Sequence, residues 1–280
     1  MKKILFGLMV AVFAALMLLS SRAATPTVAQ SQKEPLRIFL RGGPKTHGPA
    51  DNGQHDGPTW LKEWKPLLES RGAKVDGALK FPTAAQLENT DVLVMFTADG
   101  GKIQGEQREY FLKFLKRGGG ICCFHDSIVT PDEPQWFKTI VGGAWENNVA
   151  RYFEGENTYY YVNTEHPITK GASNFKITDE VYWQLHMMPD AQILASAMQP
   201  AGRGRAAAPD AIGKLIPQIW VYENQIDGAT KYRAFVDLLG HHFTTFSSPN
   251  ARAIFLRGIA WAGKRDVDLL TTPEEVAGLK

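Results

Sequence analysis

The chain has 280 residues, a formal net charge of +2 and a hydrophobic fraction of 44%. This length permits one sizeable core or two small ones, and an aromatic content of 11% excludes a largely disordered chain. The near-neutral charge argues against nucleic acid as a partner, because proteins that bind it usually carry an excess of Lys and Arg.

The first 23 residues have the features of a signal peptide. Lys2 and Lys3 form a positive segment, residues 4–19 are an uncharged apolar run, and the small residues Ser21 and Ala23 fit a cleavage site. Residues 24–34 are polar and predict a disordered lead-in. We therefore expect export to the periplasm or the extracellular space. The alternative is an uncleaved membrane anchor, although the run is shorter than the roughly 20 apolar residues that a span needs.

The chain has two cysteines, Cys122 and Cys123, and they are adjacent. A disulfide requires Cα atoms about 5–6 Å apart in a suitable orientation, so a bridge between neighbours is strained and rare. The sequence therefore offers no disulfide framework. Stability must come from the apolar core.

The first half of the mature chain alternates apolar strand segments with amphipathic helices. The predicted strands cover residues 36–40, 74–79, 91–97 and 121–124, and the predicted helices cover residues 58–71 and 104–116. The clearest strand, residues 91–97, is apolar on both faces, which is typical of a parallel strand covered by helices on each side. This order predicts an α/β fold with an open, doubly wound, mostly parallel sheet.

The second half is less regular. Strands are predicted at residues 159–162, 192–197, 218–222 and 233–239, and a closing helix is predicted at residues 249–261. An Ala-, Arg- and Gly-rich segment, Ala201 to Pro209, predicts a surface loop. We expect one domain over residues 35–265 and a C-terminal tail over residues 266–280.

Polar residues follow four of the predicted strands, at the point where each strand ends. They are Arg41, Lys45, His47 and His55 after the first strand, Asp99 after the third, His125 and Asp126 after the fourth, and His241 and His242 after the last. In doubly wound sheets, ligands bind outside the carboxyl ends of the strands, where neighbouring loops diverge. The sequence therefore predicts that these side chains meet at one edge of the sheet.

Three kinds of chemistry suit a histidine cluster at such an edge. Imidazoles exchange protons near neutral pH, so they can act as general acids or bases. Two or three histidines with a carboxylate can hold Zn²⁺ or another divalent metal, and the candidate ligands are His47, His125 and His241. The same groups can instead hydrogen-bond sugar hydroxyls, with aromatic rings such as Trp145, Tyr152, Trp183 and Trp220 as stacking surfaces. No other cofactor is indicated.

Several of these segments resemble motifs of the ThuA-like (trehalose utilisation) family. The matching segments are Arg41 to Gly48, Asp99 to Gly101, Gly118 to Asp126, His166 to Gly171, Thr178 to Tyr182, Gly240-His241 and Leu256 to Trp261. Each motif is short, but together they extend over nearly the whole mature chain in a fixed order.

The resemblance implies a flavodoxin-like fold of the class I glutamine amidotransferase-like type, a three-layer sandwich. It implies carbohydrate metabolism, with trehalose, related disaccharides and their 3-keto derivatives as suggested substrates. The residues that fall on matching motif positions are His47, His55, Asp99, His125, Glu180 and His241. We expect catalytic roles for His47, His125, Glu180 and His241, and substrate binding by Arg41, His55, Asp99, Asp126 and Trp183. We therefore expect an enzyme that acts on a keto-sugar or glycoside by histidine and carboxylate acid–base chemistry, as a hydrolase or a lyase.

Two other functions remain open from the sequence. The first is a non-catalytic sugar-binding module that uses the same crevice. The second is a cysteine-dependent amidase, because Gly120 to His125 has a faint likeness to the nucleophile motif of glutamine amidotransferases. A reactive cysteine needs a nearby histidine base and an orienting carboxylate. Phe243 stands where that carboxylate is expected after His241, and Phe124 replaces the glycine of the tight turn.

Overall fold

A nine-stranded mixed sheet organises the described part of the chain, residues 34–200 and 212–280 of a computed structural model. The strand order is β2-β1-β3-β4-β11-β10-β9-β6-β7. The predicted signal peptide, all but one residue of the predicted lead-in and the predicted loop at 201–209 lie outside the described residues. Among the residues described, no helix combines the length and apolar character needed to cross a bilayer.

The first five strands in this order are parallel. They are β1 (Arg37–Gly42), β2 (Lys74–Ala78), β3 (Val92–Phe96), β4 (Gly120–Phe124) and β11 (Tyr232–Asp237). Every residue of β3 and β4 is buried, which explains why both segments are apolar throughout. The order β2-β1-β3-β4-β11 is that of flavodoxin-like sheets and confirms the predicted fold class.

Helices cover both faces of the parallel strands. They are α1 (Gly57–Ser70), α2 (Ala84–Glu88), α3 (Gly105–Lys116), α4 (Pro134–Val141), α5 (Pro249–Ala262) and α6 (Pro273–Ala277). Along β3, Val92 and Val94 belong to the core formed with α1 and α5, whereas Leu93 and Met95 belong to the core formed with α3 and α4. This alternation produces the predicted three-layer sandwich.

The remaining strands form an antiparallel extension of the sheet. They are β6 (Arg151–Tyr161), β7 (Phe175–Trp183), β9 (Gln192–Met198) and β10 (Leu215–Asn224), and a separate short pair is formed by β5 (Gly143–Ala144) and β8 (His186–Met187). The side-chain amide of Gln218 in β10 bonds both the N–H and the carbonyl of Tyr182 in β7, at 3.1 and 2.7 Å. These bonds hold the end of β7 against β10.

Residues 266–280, predicted as a tail, pack on the domain. Leu270 and Leu279 are buried in the core, and the Arg257 guanidinium pairs with Asp268. Glu275 in α6 pairs with Arg71, at the end of α1, at 3.2 Å. The compact unit accordingly extends from Pro35 to Lys280.

Candidate functional site

Histidines from three different loops meet at the carboxyl ends of the parallel strands. His55 follows β1, His125 follows β4 and His241 follows β11. The Nε2 atom of His55 lies 2.9 Å from Nδ1 of His241 and 3.0 Å from Nε2 of His125. The structure thus places imidazoles that are up to 186 residues apart in sequence within hydrogen-bonding distance of one another.

Two carboxylates complete this cluster. Glu180, in β7, places its Oε2 atom 3.5 Å from Nε2 of His125 and 3.4 Å from Nδ1 of His241. Asp126, directly after His125, places its Oδ2 atom 2.8 Å from Nδ1 of His55. We call His55, His125, His241 and Glu180 the floor cluster, because they lie at the base of the pocket described below.

The backbone around the floor cluster is held in unusual conformations. His55 and His125 have φ values of 43° and 51°, in the left-handed region that non-glycine residues rarely adopt. The backbone N–H of His55 donates to the carbonyl of His241 at 3.0 Å, which fixes the β1 loop to the β11 loop. Strain of this kind is retained where surrounding structure imposes it, and it concentrates at functional sites.

Asp179 fixes the loop that carries His241. Its buried carboxylate accepts hydrogen bonds from the backbone N–H groups of Gly240 and His241, at 3.3 and 3.0 Å, and from the Thr245 hydroxyl. Gly240 has a φ of 131°, and an added Cβ there would lie 2.8 Å from the Phe246 ring. The turn before His241 therefore requires glycine.

The electrostatics of the cluster follow from burial and from these contacts. Burial lowers the pKa of His55, although the Asp126 carboxylate opposes this shift. Burial alone would raise the pKa of Asp126, but the nearby charge of His125 and the hydrogen bond from His55 hold it well below its usual range. Burial would also lower the pKa of His241, but the hydrogen bond and charge of Glu180 outweigh it and raise that pKa.

A pocket of about 350 Å³ opens above the floor cluster. Three of the four cluster members line it, while His125 lies beneath them with no exposed surface. Its walls carry three aromatic side chains, which are Trp145, Tyr152 and Tyr182. This volume lies within the range of pockets that bind small molecules.

His47 lines the same pocket but stands outside the floor cluster. Its ring centroid lies 3.8 Å from that of His55 and 6.0 Å from that of His241. The four groups whose ligand atoms lie within 4.8 Å of one another are His55, His125, Glu180 and His241. This group differs from the predicted metal-ligand set of His47, His125 and His241, because it contains His55 in place of His47 and adds Glu180.

Three predicted substrate-binding residues lie outside the lining of this pocket. Trp183 is 2% exposed and packs in the core, because side chains alternate along β7 and Tyr182 takes the pocket side. The guanidinium of Arg41 is buried against the carbonyl of Gly100 at 3.3 Å. Asp99 is exposed in the loop after β3. The structure thus places Trp183, Arg41 and Asp99 outside the pocket lining, and their substrate-binding roles stay predictions.

Tyr182 is the main pocket residue that sequence reasoning did not assign. Its hydroxyl donates to Oδ1 of Asp126 at 2.6 Å and lies 3.0 Å from Nε2 of His125. Side chains two residues apart point to the same side of a strand, so residues 180 and 182 share one face of β7. A strand predicted over these residues would therefore place Tyr182 on the same face as Glu180.

The two cysteines have no place in this pocket. Cys122 and Cys123 are fully buried and face opposite helical layers of the sandwich. Burial raises the pKa of both thiols, so neither is available as a thiolate nucleophile. The cysteine-dependent amidase alternative is therefore not supported.

Comparisons with known proteins agree with this fold. The sequence profile of the trehalose utilisation family, ThuA, matches residues 50–262. A solved protein described as ThuA-like, from Bacteroides uniformis, superposes with a TM-score of 0.64 at 17% identity, covering 85% of this chain and 95% of its own. Another from Parabacteroides merdae gives a TM-score of 0.59 at 16% identity, covering 82% and 90%. A search of curated proteins gave no match.

Proposed function

The chain belongs to the trehalose utilisation (ThuA) family, and we propose that it is an exported enzyme that acts on a keto-sugar or glycoside. The family supplies the link to carbohydrates. The observation that carries the proposal is the convergence of three imidazoles and two carboxylates on one pocket with aromatic walls. Such a pocket combines surfaces for a sugar ring with groups that polarise a carbonyl and move protons.

The pocket has two parts, which are the floor cluster and the wall that carries His47. The floor cluster lies beneath the ligand, and a protonated imidazole of that cluster would polarise a carbonyl oxygen seated there. His47 lies on the wall, is exposed and lines the pocket. We assign proton transfer to His47, because His125 has no exposed surface and Glu180 is held between His125 and His241.

The proposed reaction is an elimination. A keto group acidifies the C–H bond on the neighbouring carbon, and His47 accepts that proton. The electron pair left behind forms a C=C bond while the bond to the glycosidic oxygen breaks. The departing oxygen then takes that proton from the His47 imidazolium, so that an unsaturated keto-sugar and a free alcohol are formed and His47 becomes neutral again.

Turnover of keto-sugars tests this proposal. Purified protein is incubated with 3-keto-trehalose and 3-keto-glucosides, with the parent glycosides as unreactive controls, and products are followed by mass spectrometry and ultraviolet absorbance. His47→Ala should lower kcat/KM by about 10²–10⁴-fold, the usual contribution of a general acid or base. The exposure of His47 allows this substitution without loss of the fold.

The matched control is His166→Ala. His166 is a partly exposed histidine that contacts Trp261 and does not line the pocket. Its substitution should leave kcat/KM within about twofold, because surface changes away from the site usually have small effects. Absence of turnover with every keto-sugar, or equal losses in both variants, would contradict the proposal.

A non-catalytic sugar-binding module is the second candidate, and the aromatic walls favour it. Trp145 packs edge-on against Tyr182 at 4.8 Å between centroids, and Tyr152 is 53% exposed. Such rings can stack on a sugar without chemistry. Calorimetry with intact trehalose separates the two functions, since binding without product from any keto-sugar would favour the module.

Export is proposed from the sequence of residues 1–23. Cell fractionation in the native host should place the protein outside the cytoplasm, and Edman sequencing of the mature chain should begin near Ala24. A cytoplasmic protein with an intact N-terminus would contradict this part of the proposal.

A further inference from the structure

We infer that the pocket floor binds one divalent transition-metal ion through four ligands, which are His55, His125, His241 and Glu180. The donor atoms are Nε2 of His55, Nε2 of His125, Nδ1 of His241 and Oε2 of Glu180. This site goes beyond the proposed function, because it depends on the geometry of the protein and not on the identity of a sugar.

The hydrogen bonds of His55 and His125 fix which ring nitrogen of each carries the proton. Nδ1 of His55 faces the Asp126 carboxylate at 2.8 Å, and Nδ1 of His125 faces the Leu238 carbonyl at 3.0 Å. Both partners can only accept, so each Nδ1 carries its proton and donates it. In the neutral rings, Nε2 of His55 and Nε2 of His125 are then bare lone pairs, and they face each other at 3.0 Å.

Two facing lone pairs repel unless a positive species lies between them. One shared proton would satisfy a single nitrogen–nitrogen contact, but His55 also faces Nδ1 of His241 at 2.9 Å. A metal ion accepts all three nitrogens together. The outer contacts of His55 and His125 are the carboxylate and carbonyl contacts that fix the tautomer of metal-ligating histidines.

Two carboxylates place negative charge beside these imidazoles. Glu180 and Asp126 are carboxylates whose side chains are 8% and 16% exposed, and they contact the same group of imidazoles. Buried charges are costly unless they are paired. A divalent cation would neutralise the two negative charges at the point where both meet the histidines.

The donor set selects the kind of ion. Three imidazole nitrogens and one carboxylate oxygen suit Zn²⁺ and neighbouring first-row ions, whereas Mg²⁺ and Ca²⁺ prefer oxygen ligands. The nitrogen–nitrogen distances of 2.9 and 3.0 Å and the nitrogen–oxygen distances of 3.4 and 3.5 Å bracket the roughly 3.3 Å edge of a tetrahedron with metal–nitrogen bonds of about 2.0 Å. The other two donor–donor pairs lie within 4.8 Å, so side-chain movement is needed to bring all four donors to one ion.

The position of the site links it to the pocket. His55, His241 and Glu180 line the cavity, so an ion among them would face a bound ligand from below. A metal ion acts as a Lewis acid toward a carbonyl oxygen. The ion would then polarise the carbonyl, and His47 on the wall would remain free of the metal to transfer protons.

Metal titration of the full mature protein tests the site directly. Protein stripped with a chelator is titrated with Zn²⁺ by calorimetry, and with Co²⁺ by visible absorption, which reports ligand number through its d–d bands. We expect one ion per chain. His55→Ala and Glu180→Gln should each abolish stoichiometric binding, and Asp126→Asn should weaken it by about 10- to 100-fold, the usual effect of losing the outer partner of a ligand.

The matched control is His242→Gln. His242 follows His241 directly and pairs with Glu154 at 2.7 Å, in a more exposed group that could also attract an ion. This variant should still bind one ion per chain. No binding by the parent protein, or loss of binding in His242→Gln with retention in His55→Ala, would overturn the site. Circular dichroism of each variant separates loss of ligands from loss of fold.

These readouts use no sugar, so they are independent of the proposed reaction. Metal binding without turnover of any keto-sugar would contradict the proposed function and leave the metal site standing. Turnover by protein that binds no metal would contradict the metal site alone.

Discussion

The two ends of the parallel strands use polar side chains in different ways. At the amino ends, the Asp91 carboxylate accepts hydrogen bonds from the backbone N–H and the guanidinium of Arg37, at distances between 2.5 and 3.2 Å. Each oxygen of the Asp91 carboxylate therefore has a donor from Arg37. At the carboxyl ends, Nε2 of His55 lies 3.0 Å from Nε2 of His125 and 2.9 Å from Nδ1 of His241, so that three ring nitrogens face one another. The Arg37–Asp91 pair is satisfied by the protein alone, whereas we infer that the carboxyl ends are completed by a ligand.

The largest expected effect comes from a carboxylate-to-amide change at the carboxyl ends. Glu180→Gln keeps the size of the side chain but removes its charge from the floor cluster. We expect kcat/KM on a keto-sugar to fall by about 10²–10³-fold, the usual loss when one group that stabilises developing charge is removed. The free energy of unfolding of the metal-free protein should fall by about 1.5–3 kcal/mol, the range for a buried hydrogen bond to a charged group. Steady-state kinetics and urea titration measure the two quantities. A loss of stability without loss of activity would contradict this account.

The same chemical change at the amino ends should leave activity nearly unchanged. Asp91→Asn removes the charge that Arg37 requires, and both side chains are partly exposed. We expect the free energy of unfolding to fall by about 1–2 kcal/mol, the range for a hydrogen bond to a charged group reduced by solvent screening. Activity should remain within about twofold. If Asp91→Asn lowered kcat/KM as strongly as Glu180→Gln, the contrast between the two ends would fail.

The smallest expected effect is the pH dependence of the amino-end pair. Burial alone would raise the pKa of Asp91, but the hydrogen bonds and charge of Arg37 outweigh it and lower that pKa. The folded value therefore lies below the unfolded one, and the stabilising contribution is complete above the unfolded pKa of about 3.9 and is lost as the pH falls through the folded value.

Urea titrations of the parent protein and Asp91→Asn at several pH values measure this effect. The difference between their free energies of unfolding should be constant from about pH 7 to about pH 5 and should shrink below about pH 4. A difference that grew in acid would show that the sign assigned to Asp91 is wrong.

The parallel half of the fold could be predicted because its strands are buried on both faces. Residues 92–96 and 121–124 are apolar throughout, and glycines end the neighbouring helices, so the sequence predicts a parallel sheet covered by helices. The antiparallel half was harder. In β6, predicted only at residues 159–162, exposed and half-buried residues alternate from Arg151 to Glu156. The segment that forms β7 was not predicted as a strand, since its acidic residues disguise an edge strand.

The site residues also differ according to whether they lie in the parallel or the antiparallel half of the fold. His55, His125 and His241 could be located because each follows a strand of the parallel half. Glu180 was assigned only through the family resemblance, since no local pattern distinguishes it. Trp183 lies in the core and not at the pocket, because the face that a residue takes depends on a strand register that the sequence does not show. The sequence therefore predicts which loops carry the site but not which atoms meet within it.

The central claim is that side chains from separate loops converge to hold one ion at the floor of the pocket. A crystal structure of the Zn²⁺-loaded protein, with diffraction data collected on both sides of the zinc absorption edge, tests it most directly. We predict one anomalous peak at about 2.0–2.2 Å from the side-chain donors of His55, His125, His241 and Glu180. A peak between Glu154 and His242, or no peak in loaded protein, would contradict the claim.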